Sequence, residues 1–356
     1  MNEKATTGLK KRRRTRATPV KVAQGQLVKH HYLTMGHHRL SVFQPTVSRF
    51  DGLEWSQTNR PIIEQQLLKD GAILFRDFQI DSVSKFENLV QSFSSELIRY
   101  GEKSSPRTQL SQGVYTSTDH PADQPILLHN EQSYTLNWPM KICFCCLQPA
   151  AEMGRTPIAD SRKIFQRLDA QIIEAFQTKQ IMYMRNYGAG LGLSWQTVFS
   201  TDDRAVVENH CRQSDIEFEW LGNDTGKAPA SQRLRTRQIR PAIRQHPQTG
   251  ETLWFNHALF FNIVGLEASV REMMLQTVAA DELAFNTFYG DGTAIEPEVL
   301  AAIKAAYDQE TFAFDWQAGD VLLLDNMLTC HGREPFVGPR QVLVAMADLF
   351  LSNFSR

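Results

Sequence analysis

From Ile126 to Phe350 the chain reads as a succession of strand-length apolar segments: ILLHNEQSY, MKICFCCL, TPIAD, IMYMRNY, IRPAIRQH, LWFNHA, FAFDW, VLLLDN and QVLVAMADLF. β-Branched and aromatic residues dominate them, and turn-forming residues separate them. Fewer segments carry helical spacing, namely Ser161 to Gln177, Ser194 to Cys211, Val270 to Phe288 and Glu296 to Ala306. Many strands with few helices imply a barrel or sandwich with helical cover, a mainly β (α+β) fold. Upstream, Asn59 to Leu68 has a cap-like Asn and an early Pro ahead of apolar residues, and Gly71 closes that helix. AILFRDF follows as a strand, and Ser82 to Leu97 is a second capped helix with Phe86, Leu89, Val90 and Phe93 on one face. No repeat and no second composition regime appears. The expected organisation is a tail over residues 1–25 and one domain over residues 26–356.

Composition excludes several classes. A net charge of −1 gives the whole chain no bias towards nucleic acid or membranes. The basic run Lys10-Lys11-Arg12-Arg13-Arg14 with Arg16 reads as a solvated, disordered tail. No segment has the roughly 18 consecutive apolar residues of a membrane span, and the N-terminus lacks the apolar core of a secretory signal. A cytoplasmic location follows by default. Five cysteines, an odd number, argue against a disulfide framework. Cys143, Cys145 and Cys146 lie in an apolar run and read as small core residues rather than zinc ligands. The pairs His30-His31 and His37-His38 have no convergent partner in sequence and read as surface or packing histidines.

Chemistry concentrates at two places. His129 and Glu131 follow the apolar Ile126-Leu127-Leu128, and His331 follows the strand Val321 to Asp325. On an extended strand, positions i and i+2 share a face. His129 and Glu131 would then grip one ion while Asn130 points away. A third ligand from another strand, His331, completes a two-histidine, one-carboxylate face. Such a face leaves coordination positions open and suits non-haem Fe(II). Arg340, nine positions beyond His331, opens an apolar strand, and its planar fork suits a carboxylate. Thr156, in GRTPIAD, could donate a hydroxyl to the same group. Arg333 fits local structure or substrate contact, and Asn130, Gln132, Trp254 and Asn256 are further substrate-side candidates. The polar stretch from about Ser104 to Gln124 is long enough to be a lid.

The segments GAILFRDF, LLHNEQSY, GRTPIADSR, GDVLLLDN and HGREPFVGPR occur in this order. In them the stretch from about Gly71 to the C-terminus resembles the taurine dioxygenase-like family of Fe(II)/2-oxoglutarate oxygenases. It is most similar to the branch of syringomycin-type amino-acid hydroxylases found in nonribosomal-peptide pathways. The resemblance implies a double-stranded β-helix, or jelly-roll, core. It implies His129, Glu131 and His331 as iron ligands, with Arg340 and Thr156 clamping the far carboxylate of 2-oxoglutarate. It implies O2 as oxidant and hydroxylation of an amino acid, free or tethered to a peptidyl-carrier protein. Many members carry Asp where this chain has Glu131. The family's halogenases lack that carboxylate, so Glu131 argues against halogen transfer. LWFNHALFFN departs from the expected pattern, which has a His near Asn262. The same iron site would also serve desaturation or another C–H oxidation. A zinc hydrolase and a non-catalytic, metal-binding cupin-like protein are the rival readings. The first leaves Arg340 unexplained, and the second predicts a lost ligand or clamp.

Overall fold

The computed structural model describes residues 27–98, 107–188, 193–222, 233–266 and 268–352. The basic tail and residues 104–106 of the expected lid lie outside these. A seven-stranded sheet forms the backbone of the molecule. Its order is Val28–Met35, His38–Pro45, Ala72–Phe75, Val321–Asp325, Asn137–Gln148, Gln341–Leu351 and Val114–Thr116. All pairings are antiparallel except that of His38–Pro45 with Ala72–Phe75.

The apolar runs are continuous because both faces of this sheet are covered. Ile73, Phe75, Cys143, Cys145, Val321 and Leu323 pack under the helices Gly52–Thr58, Arg60–Asp70 and Val83–Phe93. Their alternates, including Leu74, Phe144, Cys146, Leu322 and Leu324, face the opposite way, into a core shared with Ile158, Phe312 and Trp316. The period-two alternation thus assigns Cys143 and Cys145 to one core and Cys146 to the other. All five cysteines are buried and free. Burial pushes the thiols of Cys143, Cys145, Cys146 and Cys330 up, as expected for packing residues.

A three-stranded sheet, Ile126–His129, Thr329–Arg333 and Ile158–Asp160, lies against that second face. A four-stranded sheet, Glu217–Leu221, Arg233–Arg240, Ile181–Tyr187 and Phe285–Tyr289, and the hairpin of Ile243–Gln245 with Thr252–Trp254 extend the structure.

Several boundaries differ from the expectation. Residues Val28–Met35 and His38–Pro45 form a full hairpin about Gly36. Ser161 to Gln177 is two helices, Ser161–Arg167 and Ala170–Lys179, because Leu168 turns into the core between them. Ser194 to Cys211 is likewise two, Trp195–Phe199 and Arg204–Gln213. Val270 to Phe288 is helical only to Thr277. Phe285–Tyr289 instead pairs with Ile181–Tyr187, so tertiary pairing overrides the helical spacing. FAFDW forms only the single bridge from Phe312 to Ile158.

Candidate active site

Antiparallel register brings the two distant histidines together. His331 pairs directly with His129, and their rings lie 4.6 Å apart. The ladder then slips between His331 and Arg333. Gly332 sits at the slip, where a Cβ would stand 2.6 Å from the Ile126 carbonyl oxygen, so only glycine lets the strands approach.

Glu131 reaches the same point by another route than expected. The strand ends at His129, and Glu131 lies in the turn that follows, with Gln132 in the left-handed region at φ 56°. Glu131 therefore does not share a strand face with His129. Asn326 holds the turn instead. Its side-chain oxygen accepts from the Glu131 N–H at 2.8 Å, and its amide donates to the Glu131 carbonyl at 2.9 Å. The same amide donates to the Pro139 carbonyl at 2.8 Å. Asp325 fixes Asn326 in turn, accepting from the N–H groups of Met327 and Leu328 at 2.9 and 3.0 Å. This Asx-type turn carries the chain from the large sheet to the small one.

One ligand atom each from His129, Glu131 and His331 lies within 4.8 Å of the others, and all three residues are buried. His129 Nδ1 is 2.8 Å from the Leu127 carbonyl, which makes it the protonated nitrogen and leaves the Nε2 lone pair for a cation. Burial pulls both imidazoles below their ordinary pKa, His331 strongly, so both are neutral ligands at pH 7. Glu131 Oε2 accepts from Arg107 Nη2 at 2.6 Å. Sequence reading missed Arg107, Asn326 and His257. Arg107 stands in a polar stretch with no pattern around it. His257 packs edge-on against His129, with Ser133 Oγ 2.6 Å from its Nδ1.

A cavity of about 450 Å³ opens beside the triad, lined by His129 and His331, by Thr156, and by Arg107, Arg333 and Arg340. Its remaining wall is largely apolar, with Phe144, Phe260, Phe261 and Phe285. Arg340 donates from Nε to the Gly154 carbonyl at 3.0 Å and lies over the Phe336 ring. Gly154, at φ +71°, permits this, since a Cβ there would meet Phe336 Cβ at 2.9 Å. Among the described residues no carboxylate pairs with Arg340. Burial, helped by Arg333, pushes its pKa down to about 10. A desolvated cation of this kind is a ready seat for an anion. Thr156 Oγ1 accepts from the Trp316 indole at 3.1 Å, which leaves its own O–H to donate elsewhere.

The other sequence candidates are placed differently. Arg333 lines the cavity, but its guanidinium donates to the carbonyls of His120, Pro121 and Gln124, anchoring the 120–124 loop. Asn130 points away and donates to Ser161 Oγ and the Asn326 carbonyl. Asn256 is occupied by the Ala242 carbonyl and the Ala258 N–H. Trp254 is fully buried edge-on to Phe176. Asn130, Gln132, Trp254 and Asn256 are not among the residues lining the cavity. Asn262, where a His was expected, caps the Ile263–Gly265 turn and donates to Thr287 Oγ1 at 2.9 Å.

The family described as "Taurine catabolism dioxygenase TauD, TfdA family" matches residues 36–346. The chain belongs to this family. It is an Fe(II)- and 2-oxoglutarate-dependent dioxygenase, with O2 as co-substrate. The dioxygenase is 40% identical over 286 residues to the dapdiamide synthesis protein DdaC of Enterobacter agglomerans, across 80% of this chain and 84% of that relative. It is 26% identical over 303 residues to a clavaminate synthase-like protein of Arabidopsis thaliana, across 82% and 85% of the two chains. Among solved structures, PvcB of Pseudomonas aeruginosa superposes with a TM-score of 0.54 at 15% identity, covering 93% of this chain and 95% of that one. PvcB is described as an Fe, alpha-ketoglutarate dependent oxygenase from an isonitrile synthetic pathway. These likenesses show the jelly-roll fold. No helix among the described residues is long and apolar enough to cross a membrane.

Proposed function

We propose that the enzyme hydroxylates an unactivated C–H bond of an amino acid, or of an aminoacyl group tethered to a peptidyl-carrier protein, in a natural-product pathway. His129, Glu131 and His331 hold Fe(II), and Arg340 with Thr156 holds the far carboxylate of 2-oxoglutarate. The observation that carries this reading is the buried, carboxylate-free guanidinium of Arg340 in the same cavity as the triad. A dicarboxylate with one end on a metal needs such a counter-charge at its other end. The residues fit the metal as well: two neutral imidazoles and one carboxylate converge, with Nε2 of His129 fixed as donor. The 40% identity to a protein of dapdiamide synthesis supports the amino-acid-like substrate and the biosynthetic setting.

When bound, iron and 2-oxoglutarate supply the oxidising power, with O2 consumed and succinate and CO2 released. The chain's own residues orient and protect. Asn326 fixes the backbone of Glu131, and Arg107 engages Oε2, leaving Oε1 for the ion. Phe260 packs 4.4 Å from the His129 ring, and the other aromatic residues of the wall keep water from the reacting bond. Three arginines and no acidic side chain are among the residues lining the cavity.

The test is succinate formation from 2-oxoglutarate with Fe(II) and ascorbate, across a panel of free and carrier-bound amino acids. One panel member is expected to couple succinate release to a product heavier by one oxygen. Absence of both Fe(II)-dependent 2-oxoglutarate turnover and 2-oxoglutarate binding would sink the reading.

A further inference from the structure

A second cavity, of about 470 Å³, shares the strand Thr329–Arg333 with the first. Ile158, Asp160 and Thr329 line it, whereas Thr156 and His331 line the active-site cavity. At its edge three groups meet that the sequence holds far apart. The hairpin turn at Gly36 sends the rings of His37 and His38 to one side, 3.8 Å apart. Glu310, the last residue of the helix Pro297–Glu310, faces them. His37 Nε2 is 3.8 Å from Oε1 and His38 Nδ1 is 3.8 Å from Oε2. One ligand atom from each of the three lies within 4.8 Å of the others.

Glu310 is 2% exposed, yet only half of its carboxylate is hydrogen-bonded. Arg167 donates to Oε1, while Oε2 is buried with no hydrogen-bond donor. A buried carboxylate oxygen left so costs about 1–3 kcal/mol or more. The imidazole nitrogens are too far for hydrogen bonds, but their spacing is near that of ligands around an ion. Donors on a tetrahedral ion with bonds of about 2.0–2.1 Å stand roughly 3.4 Å apart. For His38 and Oε2, closing from 3.8 Å asks a few tenths of an ångström, and His37, whose side chain is 59% exposed, has room to swing in from within 4.8 Å.

We propose that His37, His38 and Glu310 form a second divalent-metal site, and that it takes Zn2+. Two imidazoles and one carboxylate are a donor set suited to zinc, and the cavity leaves a fourth position for water. Oε2 binds the ion while Arg167 holds Oε1, the outer-shell arrangement that orients ligating carboxylates. Lys163, 3.9 Å from Oε2 and 44% exposed, swings out to solvent. The ion ties the N-terminal hairpin to the helices ending at Glu310 and Arg167. Because Ser161–Arg167 continues directly from the strand Ile158–Asp160, the tie braces the small sheet from outside the active site.

Zinc stoichiometry on metal-free full-length protein, by equilibrium dialysis and elemental analysis, tests this. Wild type is expected to bind two equivalents, one of them at the triad. The His37→Ala/His38→Ala variant binds one and keeps Fe(II)-dependent 2-oxoglutarate turnover. The His129→Ala/His331→Ala variant also binds one, and zinc raises its Tm. A single equivalent in wild type overturns the proposal, and so does retention of two equivalents in His37→Ala/His38→Ala. Should the His129→Ala/His331→Ala variant fail to fold, wild type against His37→Ala/His38→Ala decides alone.

Discussion

Two clusters of the same composition, two histidines and a glutamate, border cavities that share the strand Thr329–Arg333, and their surroundings differ in kind. His129 and His331 are 9% and 5% exposed and face each other across a strand ladder. Glu131 meets one guanidinium, that of Arg107. His37 and His38 sit at a hairpin turn, and Glu310 meets Arg167 and Lys163 as well as both imidazoles. The first cluster opens on a largely apolar cavity with a carboxylate-free arginine; the second opens on a cavity walled by charges of both signs. Donor atoms alone therefore do not define the chemistry. The apolar wall and the waiting cation mark the first as the oxidative site. The second has neither and is suited to bracing.

Matched substitutions of the two glutamates give the largest contrast. Glu131→Ala removes a ligand and breaks the buried ion pair with Arg107. Turnover should fall below detection, and metal-free protein should lose about 3–5 kcal/mol of stability, the usual cost of breaking a buried ion pair. Glu310→Gln should leave turnover within about twofold. Its stability cost should be about 1–3 kcal/mol, since Arg167 is partly exposed to water. Urea unfolding with a succinate assay reads both. Loss of turnover in Glu310→Gln at full stability would end the division of labour drawn between the clusters.

Next in size is Arg340→Ala. Truncating one partner of a buried charged contact costs about 2–5 kcal/mol, so the Kd for 2-oxoglutarate should rise by about 30-fold or more. Metal uptake at the triad should be unchanged. Calorimetric titration of 2-oxoglutarate into the metal-loaded protein checks this, and equal affinity in the variant would place the clamp elsewhere. Raising the pH through about 10 should weaken 2-oxoglutarate binding in the same direction, because burial lowers the Arg340 pKa to about 10 and its charge is lost progressively there.

Asn326→Ala probes how Glu131 is held. It strips partners from the Glu131 N–H and from the carbonyls of Glu131 and Pro139, all buried. A loss of about 3 kcal/mol follows from unpaired backbone groups. Metal affinity at the triad should drop about 10- to 100-fold, as for other supporting-shell changes. Unchanged metal affinity in a folded variant would show that the turn holds its shape without the clamp.

How much of this could be read in the sequence depends on where the determining contact lies. Val321–Asp325 and Gln341–Leu351 were legible because apolar runs bounded by turn residues have few other fates. His129, Glu131 and His331 were legible as a group because each follows such a run. The position of Glu131 was not legible from strand alternation, since a turn closed by Asn326, far along the chain, sets it. Arg107, unmarked in a polar stretch, acquires its role only from the fold. The His37-His38 pair looked unpartnered because Glu310 comes from the other end of the chain. Phe285–Tyr289 read as helix because its strand partner, Ile181–Tyr187, is distant in sequence.

The smallest expected effect is the finest test of the oxidative cluster. Thr156 Oγ1 already accepts from Trp316, so any further bond it makes to a carboxylate is as donor. Thr156→Val keeps the shape and removes that donor. A neutral donor's contribution of about 1 kcal/mol predicts an approximately fivefold rise in the Kd for 2-oxoglutarate. Thr156→Ser keeps the hydroxyl and should restore most of it. The valine variant also leaves the Trp316 N–H without its acceptor, so a stability loss alone proves nothing about the co-substrate. The pair of variants separates the two contributions. If Thr156→Ser binds 2-oxoglutarate as weakly as Thr156→Val, the hydroxyl serves Trp316 only, and Arg340 carries the carboxylate by itself.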